Sequence, residues 1–175
     1  MGYVIRPVQA DEWRQLKELR LAALSDPVAR VAFTQTFAAA AGRPDTYWQQ
    51  VATPGGGDNR ALTFVGEGDD GRWGGMVVVL VEEHEDMPQT HLVAVYMRPE
   101  HRGSGLAREL FGAAVEWSWS LTDPVVQRVR LWVHEENERA AAFYRSLGFA
   151  ETGRTMADPK DETAVEREMA LVRDA

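Results

Sequence analysis

The sequence predicts an α/β domain built on a mixed β-sheet, and three observations point to this class. Short apolar runs typical of strands alternate with segments whose apolar residues recur at helical spacing. The predicted order is one strand, one or more helices, three strands, a helix, a strand, a helix and two final strands. The 175 residues, 45% hydrophobic and 26% charged, suffice for one domain with a core, so we expect a single domain over residues 1–175.

The first third of the chain contains a predicted strand, a predicted helix and a poorly patterned segment. YVIRPV is a strand ended by Pro7, and ADEWRQLKELRLAAL has the apolar spacing of a helix, with Asp11 as the expected N-cap and SDP as the stop. Between Val28 and Arg60 the pattern predicts only a short helix, in RPDTYWQQV after Pro44. This segment fits a lid and a surface excursion equally well.

The remaining elements follow in regular order. ALTFVGE and RWGGMVVVLVEE flank GDDG, which predicts a hairpin, and THLVAVYMR is a third strand in this series. A helix is predicted from Ser104 to about Trp119, then the alternating strand VQRVRLWV, then the helix NERAAAFYRSL with Gly148 as its cap. FAETGRTM and AVEREMALV close the domain as two strands around the charged loop ADPKDET.

The composition excludes several function classes. With no cysteine, the chain has no disulfide, no thiolate nucleophile and no cysteine-bound zinc, and its four histidines lack the spacing of a metal site, so no metal is expected. The net charge of −8 argues against a nucleic-acid partner. The longest apolar runs, such as MVVVLV, are too short to span a membrane, and the N-terminal segment is unlike a signal peptide. We therefore expect a cytoplasmic protein without a membrane partner.

The stretch RPEHRGSGLARELF places bare backbone where a strand ends and a helix begins. The first N–H groups of a helix have no partner within the helix and carry its positive dipole end, so phosphate oxygens can bind there when side chains are absent. Gly103 and Gly105 would clear the approach, while Ser104 adds a hydroxyl and Arg102 a positive charge. The Walker and dinucleotide-binding motifs both fail on spacing. The alternative is a glycine-rich turn without a ligand.

Two separated motifs are similar to those of a known family. VYMRPEHRGSGLARELF resembles the R/Q-x-x-G-x-G/A signature of the GNAT N-acetyltransferase superfamily, and LWVHEENERAAAFYRSLGFAETG resembles its strand–Asn–helix–Tyr–Gly–Phe segment. The resemblance is sharp from about Leu92 to Gly153. It implies a mostly antiparallel sheet flanked by helices, with splayed central strands, and acetyl-CoA as cosubstrate. The matching residues are Arg102, Gly105 and Ala107 in the first motif and Asn137, Ala140, Tyr144, Gly148 and Phe149 in the second.

The resemblance also implies where acetyl-CoA binds. The strands HLVAVYM and RVRLWVH would splay, and the pantetheine arm would fill the gap between them. Asn137 would hydrogen-bond the cofactor's amide arm, although an asparagine there is an equally good N-cap for the next helix. The implied cofactor-binding residues are Val95, Tyr96 and Met97 for pantetheine, Arg102, Gly103, Ser104, Gly105, Leu106 and Ala107 for the pyrophosphate, and Asn137 and Tyr144 on the second motif.

For the chemistry, the resemblance implies that Tyr144 protonates the departing thiolate, against the alternative of an aromatic in the core. A backbone N–H near Met97 would stabilise the oxyanion. The glutamate base that many members carry on the strand before the glycine loop is missing from QTHLVAVYM. His91 is the nearest titratable group and the candidate base, although a strand-end histidine in solvent is the plainer interpretation. The other candidates are the acidic cluster Glu82, Glu83, His84, Glu85 and Asp86, and, more weakly, His134 and Glu135.

The acceptor is the least constrained part of the expectation. An acidic protein with aromatic residues in its N-terminal half suits a small cationic amine, such as a polyamine, an aminoglycoside or an amino-acid derivative. Peptide N-termini and lysine side chains are alternatives, because the family covers both. A CoA-binding regulatory module that has lost transfer is a third. Dimers are common in the family, so we expect a homodimer.

Overall fold

The computed structural model describes residues 2–29, 35–56, 60–83 and 87–174. In these ranges the chain forms seven strands and five helices. The strands are β1 (Tyr3–Pro7), β2 (Leu62–Gly68), β3 (Trp73–Glu82), β4 (Gln89–Met97), β5 (Arg128–His134), β6 (Ala150–Asp158) and β7 (Asp161–Val172). The helices are α1 (Trp13–Ser25), α2 (Phe37–Ala41), α3 (Asp45–Ala52), α4 (Leu106–Ser120) and α5 (Glu138–Ser146).

The strands form one sheet in the order β1-β2-β3-β4-β5-β7-β6. Every neighbouring pair is antiparallel except β4 and β5, which are parallel. The parallel pair is joined through α4, because parallel neighbours need a long crossover connection. The predicted mixed, mostly antiparallel sheet flanked by helices is confirmed.

The parallel pair separates soon after it forms. β4 and β5 are paired only at Gln89–Arg128, Thr90–Val129 and His91–Arg130. β4 is also irregular beyond this point, since its register against β3 shifts between Val93 and Tyr96 and Ala94 has a φ of 53°. The predicted splay of the central strands is confirmed, and it leaves backbone groups of β4 facing a gap rather than a neighbouring strand.

Each face of the sheet carries its own hydrophobic core. On one face α4 and α5 pack over residues such as Phe64, Val77 and Leu131. On the other face α1, α2 and α3 pack over the alternate residues of the first strands, with Met76 and Trp48 buried between them. This alternation of buried side chains follows from the two-residue period of a strand. None of the helices in the described ranges is long and apolar enough to cross a membrane.

Three local expectations are corrected by the structure. Asp11 does not cap α1, because residues 10–12 form a 3₁₀ turn in which the Glu12 carboxylate accepts the Gln9 backbone N–H at 2.8 Å. The short helix α2 was not predicted, since the run FAAAA has no apolar periodicity. The loop expected over ADPKDET shrinks to Pro159 and Lys160, because β6 and β7 continue pairing up to Asp158 and Asp161.

Candidate active site

The gap between β4 and β5 opens into a cleft of about 790 Å³. Its walls come from β4, the glycine loop with the start of α4, β5, α5 and the β6–β7 hairpin. The cleft therefore collects residues that lie more than 70 positions apart in the sequence. Of the residues expected to bind the cofactor or to react, those that line it are His91, Val95, Tyr96, Met97, Arg102, Gly103, Gly105, Ala107, Asn137 and Tyr144.

The glycine loop presents bare backbone to the cleft. Gly103 has a φ of 76° and Gly105 a φ of 88°, conformations that residues with a side chain adopt only at a cost. A Cβ atom added at either glycine would meet no protein atom within 4 Å. Because α4 begins at Leu106, its first amides have no carbonyl partner inside the helix and are available to a phosphate. These residues fit the pyrophosphate that the family resemblance implies.

Ser104 and Leu106 hold the loop in place and do not line the cleft. Leu106 is fully buried in the core against Gly66 of β2, where even a methyl group would overlap its Cδ1. The Ser104 hydroxyl accepts a hydrogen bond from the Tyr3 hydroxyl at 3.1 Å and donates to the carbonyl of His101. For these two residues, only binding of the cofactor by their backbone groups therefore stays a prediction.

The Arg102 guanidinium forms an ion pair with Asp26 at the end of α1. Its Nη2 lies 2.7 Å from Oδ2 of Asp26, and its Nε donates to the carbonyl of Met97 at 3.1 Å. The Tyr96 hydroxyl donates to the same Asp26 oxygen at 3.2 Å. Arg102 thus ties the glycine loop to β4 and α1. Arg108 and Arg139 also line the cleft, and neither forms an ion pair with a described residue, so they can supply positive charge for phosphates.

Asn137 can serve in both of its expected roles, as the N-cap of α5 and as a hydrogen-bond donor to a ligand. Its Oδ1 accepts the backbone N–H of Ala140 at 3.3 Å, which makes it the N-cap of α5. The same side chain lines the cleft. An amide has a second polar group, the NH₂ donor, that helix capping does not use. Asn137 can therefore cap the helix and still donate to a ligand.

Tyr144 likewise belongs both to the core and to the cleft. Its ring is only 8% exposed and packs against Phe111 at 5.4 Å and Phe149 at 6.3 Å between ring centroids. It also lines the cleft. Burial, together with the charge of Glu166, raises the pKa of the Tyr144 phenol to about 12. The phenol is therefore protonated at neutral pH, as a proton donor must be.

His91 lies at the narrow end of the cleft, on the last pair of residues that joins β4 to β5. Its Nδ1 is 3.4 Å from Oε2 of Glu82. Glu82 is also bound by Arg130 through two hydrogen bonds of 2.9 Å. Although burial opposes it, hydrogen bonding to His91 and Arg130 lowers the pKa of the Glu82 carboxyl to about 2.

The acidic cluster at the end of β3 does not border the cleft in its described part. Glu82 is paired as above and Glu83 forms an ion pair with Arg60 at 2.8 Å, and neither lines the cleft. The other three members of the cluster, residues 84–86, lie outside the described residues. The described carboxylates of this cluster therefore do not support it as a candidate base.

His134 and Glu135 are committed to structural contacts. His134 is 4% exposed, its Nδ1 accepts the backbone N–H of Glu136 at 3.0 Å, and its Nε2 lies 3.3 Å from Oδ2 of Asp158. The Glu135 carboxylate accepts the backbone N–H of Val165 at 3.2 Å. Neither side chain lines the cleft, which leaves them outside the reacting region.

Glu166 of β7 lines the cleft and was not singled out in the sequence. It pairs across the sheet with His134 of β5 and Met156 of β6, and it is 6% exposed. Burial and the negative charge of Asp158 raise the pKa of its carboxyl to about 7, against a smaller lowering by Lys160. The strand pattern AVEREMALV places Glu166 and Glu168 on one face, but only the β5–β7 pairing shows that Glu166 reaches the cleft.

The segment between Val28 and Arg60 contributes little to the described cleft wall. Of its described residues only Val28 lines the cleft, while α3, the predicted short helix, buries Trp48 in the core that it shares with α1. Residues 30–34 and 57–59 lie outside the described residues. The lid stays a prediction.

Comparison with known proteins agrees with this geometry. The model of the acetyltransferase (GNAT) family matches residues 13–149, which is most of the chain and includes the first motif and the second as far as Phe149. The chain belongs to the GNAT acetyltransferase family.

Two curated GNAT relatives match over part of their length. The peptidyl-lysine N-acetyltransferase YjaB of Escherichia coli is 35% identical over 68 residues, 39% of this chain and 41% of that protein. The spermidine N(1)-acetyltransferase of Vibrio cholerae is 34% identical over 59 residues, 34% of this chain and 33% of that protein. The matched region thus spans at most 41% of either relative.

Solved structures share the fold over nearly the whole chain. Arabidopsis thaliana NAA60 in complex with a bisubstrate analogue has a TM-score of 0.71 at 16% identity, with 99% of this chain and 100% of that chain covered. The Vibrio cholerae spermidine N-acetyltransferase in complex with CoA and spermine has a TM-score of 0.67 at 20% identity, with 98% and 95% covered. At these identities the similarity establishes the GNAT fold.

Proposed function

We propose that the protein transfers the acetyl group of acetyl-CoA to a primary amine by direct attack. The observation that carries this proposal is that a protonated, buried phenol and a bare-backbone phosphate site lie in one cleft, formed where β4 and β5 separate. A module that only binds CoA needs the glycine loop, whereas it has no use for a phenol held protonated beside it. Tyr144 therefore favours transfer over binding alone.

The residues fit the steps of an aminolysis. The neutral amine attacks the thioester carbonyl carbon, a C–N bond forms, and the carbonyl π electrons move to oxygen. A backbone N–H near Met97 would stabilise that oxyanion, an interaction worth roughly 3 kcal/mol in acyl transfer. The intermediate collapses with cleavage of the C–S bond, and the thiolate takes the phenolic proton of Tyr144. The proton lost from the new amide nitrogen restores the phenol, directly or through solvent.

For the acceptor we propose a small cationic amine. The relative from Vibrio cholerae is named a spermidine acetyltransferase, and the cleft of this chain has a carboxylate, Glu166, in its wall. A lysine side chain of a protein is the second candidate, because the relative from Escherichia coli is named a peptidyl-lysine acetyltransferase. Both acceptors present a primary ammonium group to the same cleft.

The first experiment measures free thiol released from acetyl-CoA, with a thiol-reactive dye and a panel of polyamines, aminoglycosides, amino acids and lysine peptides. The protein has no cysteine, so every signal comes from CoA. We expect acceptor-dependent release that falls roughly 100-fold or more in kcat for Tyr144→Phe, within the range of general acid catalysis. Tyr47→Phe, on α3 and outside the cleft, is the matched control and should keep the wild-type rate.

The outcomes separate the candidates. Release with polyamines or aminoglycosides supports the small-amine proposal, and release with lysine peptides alone replaces it by the second candidate. If acetyl-CoA raises the melting temperature but no acceptor gives release, the protein is a CoA-binding module and the proposed function is wrong.

A further inference from the structure

Three side chains in the cleft wall carry a group that can accept a proton. Among the described residues that line the cleft these are His91, His101 and Glu166, and Glu166 is the one carboxylate in that set. Aminolysis needs such a group, because an acceptor amine is mostly protonated in water and only its neutral form attacks. The position of each candidate decides between them.

The two histidines lie where other contacts hold them. His101 is at the glycine-loop end, where the Tyr3 hydroxyl lies 2.8 Å from its Nδ1 and the rings meet edge to face at 5.6 Å. His91 is at the opposite, narrow end, paired to Glu82 on strands that have not yet separated. A phosphate at the glycine loop would place His101 beside the cofactor's pyrophosphate rather than beside the acceptor.

Glu166 lies on the other wall, beside the phenol that would protonate the thiolate. It is near enough to Tyr144 for its charge to raise the pKa of that phenol, so the two groups share one region of the cleft. A base and an acid of one transfer must both reach the reacting centre, and these two side chains line the same cleft. Two apolar residues belong to the same cleft wall: Met156, which pairs with Glu166 across the sheet, and Pro159.

The surroundings of Glu166 also raise the pKa of its carboxyl into the range that a general base needs. Its carboxyl is buried and has a raised pKa of about 7, so near neutral pH it can both take up and release a proton. An ammonium group bound beside it would favour its charged form. The charged or titratable side chains around it are His134 of β5, Asp158 of β6, Tyr144 of α5, Lys160 of the β6–β7 turn, and Arg20 and Arg139 in the cleft wall.

We propose that Glu166 is the general base that takes a proton from the acceptor's ammonium group before attack. This inference rests on the proposed function and deepens it. One N–H bond of the ammonium breaks, its electron pair stays on nitrogen, and the proton moves to a carboxylate oxygen of Glu166. The neutral amine then attacks, and the protonated carboxyl releases its proton to solvent after the product leaves, which restores the base.

The test compares Glu166→Gln with wild type on the best acceptor from the thiol-release panel, across pH 5.5 to 9. Glutamine keeps the shape of the side chain but cannot take a proton. We expect kcat/KM at pH 7.5 to fall roughly 100-fold or more, and the wild-type rise in rate around pH 7 to disappear. Glu162→Gln, an exposed position on the same strand, should match wild type in both rate and pH profile.

A second measurement separates lost base catalysis from misfolding. Glu166→Gln should keep the rise in melting temperature caused by acetyl-CoA. With a fluorinated analogue of the same acceptor, which is a weaker base and largely neutral at pH 7.5, the gap between Glu166→Gln and wild type should shrink at least tenfold.

Three results decide the matter. Equal pH profiles of wild type and Glu166→Gln overturn the assignment. If His91→Gln reduces the rise in rate around pH 7 more than Glu166→Gln does, the base is His91 instead. A loss of rate in Glu166→Gln that is the same for both acceptors also overturns it, since a merely structural defect is indifferent to acceptor basicity. If wild type itself releases no thiol with any amine, the proposed function fails before Glu166 is at issue.

Discussion

The two ends of the cleft are built on different principles. The glycine-loop end consists of consecutive residues, and its surface is backbone: two glycines with positive φ and the first amides of α4. The opposite wall consists of side chains that come from β4, β5, α5, β6 and β7 and meet only because the strands pair. One end is a local structure, and the other exists only in the folded sheet.

The difference shows what each kind of recognition requires. A phosphate can be bound by amides and a helix dipole, which any short strand–loop–helix segment can present. Proton transfer needs side chains whose pKa is shifted by burial and by neighbouring charges, and these neighbours are distant in sequence. Tyr144 and Glu166 illustrate this, because each has a raised pKa and lies in the cleft wall.

The largest effect is expected from adding a side chain to the bare backbone of the glycine loop. Gly105→Val puts a β-branched side chain at a φ of 88°, which costs about 1–2 kcal/mol, and projects it into the space left for phosphate. We expect the affinity for acetyl-CoA to fall roughly 100-fold, equivalent to about 2.7 kcal/mol, as measured by isothermal titration calorimetry.

The matched control for this change is Gly112→Ala. Gly112 lies within α4, away from the cleft, and an added Cβ meets nothing within 4 Å. Alanine there should stabilise the protein by about 0.5–1 kcal/mol and leave acetyl-CoA affinity unchanged. If Gly105→Val bound acetyl-CoA as well as this control, the glycine-loop end would not be a backbone site.

A smaller effect is expected at the ion pair between Asp26 and Arg102, which ties the end of α1 to the glycine loop. Asp26→Asn removes the charge that pairs with Arg102 and should lower the free energy of unfolding by about 1–3 kcal/mol at pH 7. Burial disfavours the Asp26 charge, but the Val28 amide and Arg102 outweigh it and lower the pKa of the carboxyl. The stabilisation is therefore present above the ordinary pKa of 3.8 and is lost as the pH falls through the lower folded value.

Urea denaturation of wild type and Asp26→Asn at pH 7 and pH 3 measures this difference. Asp11→Asn, which changes an exposed carboxylate in the turn before α1, is the control and should show no loss at either pH. A loss for Asp26→Asn that was as large at pH 3 as at pH 7 would mean that packing, and not the ion pair with Arg102, joins these elements.

A further effect concerns the stability that the buried Glu166 carboxyl costs. Its pKa is raised in the folded protein to about 7, so the folded state favours the protonated form and loses stability as the pH rises through 7. Glu166→Gln should therefore melt higher than wild type at pH 8.5 and nearly level with it at pH 5. A difference of 1 kcal/mol corresponds to about 2–4 °C for a chain of this size, which differential scanning calorimetry resolves.

A melting difference that is the same at pH 5 and pH 8.5 would contradict this expectation. It would mean that the Glu166 carboxyl titrates in the folded protein as it does in the unfolded chain. The side-chain end of the cleft would then lack the tuned group that distinguishes it from the glycine-loop end.

Apart from the short helix α2, the sequence by itself determined the elements and the glycine-loop end of the cleft. Strand alternation, helical spacing and the run RGSGLA are local patterns, because dihedral preferences and helix starts act over a few residues. The second motif likewise placed Asn137 and Tyr144 two turns apart on one helix. Errors such as the cap at Asp11 and the long loop after β6 stayed within a few residues of an element boundary.

Only the tertiary structure decided what each titratable side chain faces. Glu82 and Glu166 are both glutamates on strands, yet the sheet buries one against Arg130, with a pKa of about 2, and the other in the cleft wall near Asp158, with a pKa of about 7. Nothing local distinguishes them, since the charge and the solvent around a carboxylate come from strands that pair across the sheet. The electrostatic environment of a carboxylate is a property of the assembled fold, and so is its suitability as a general base.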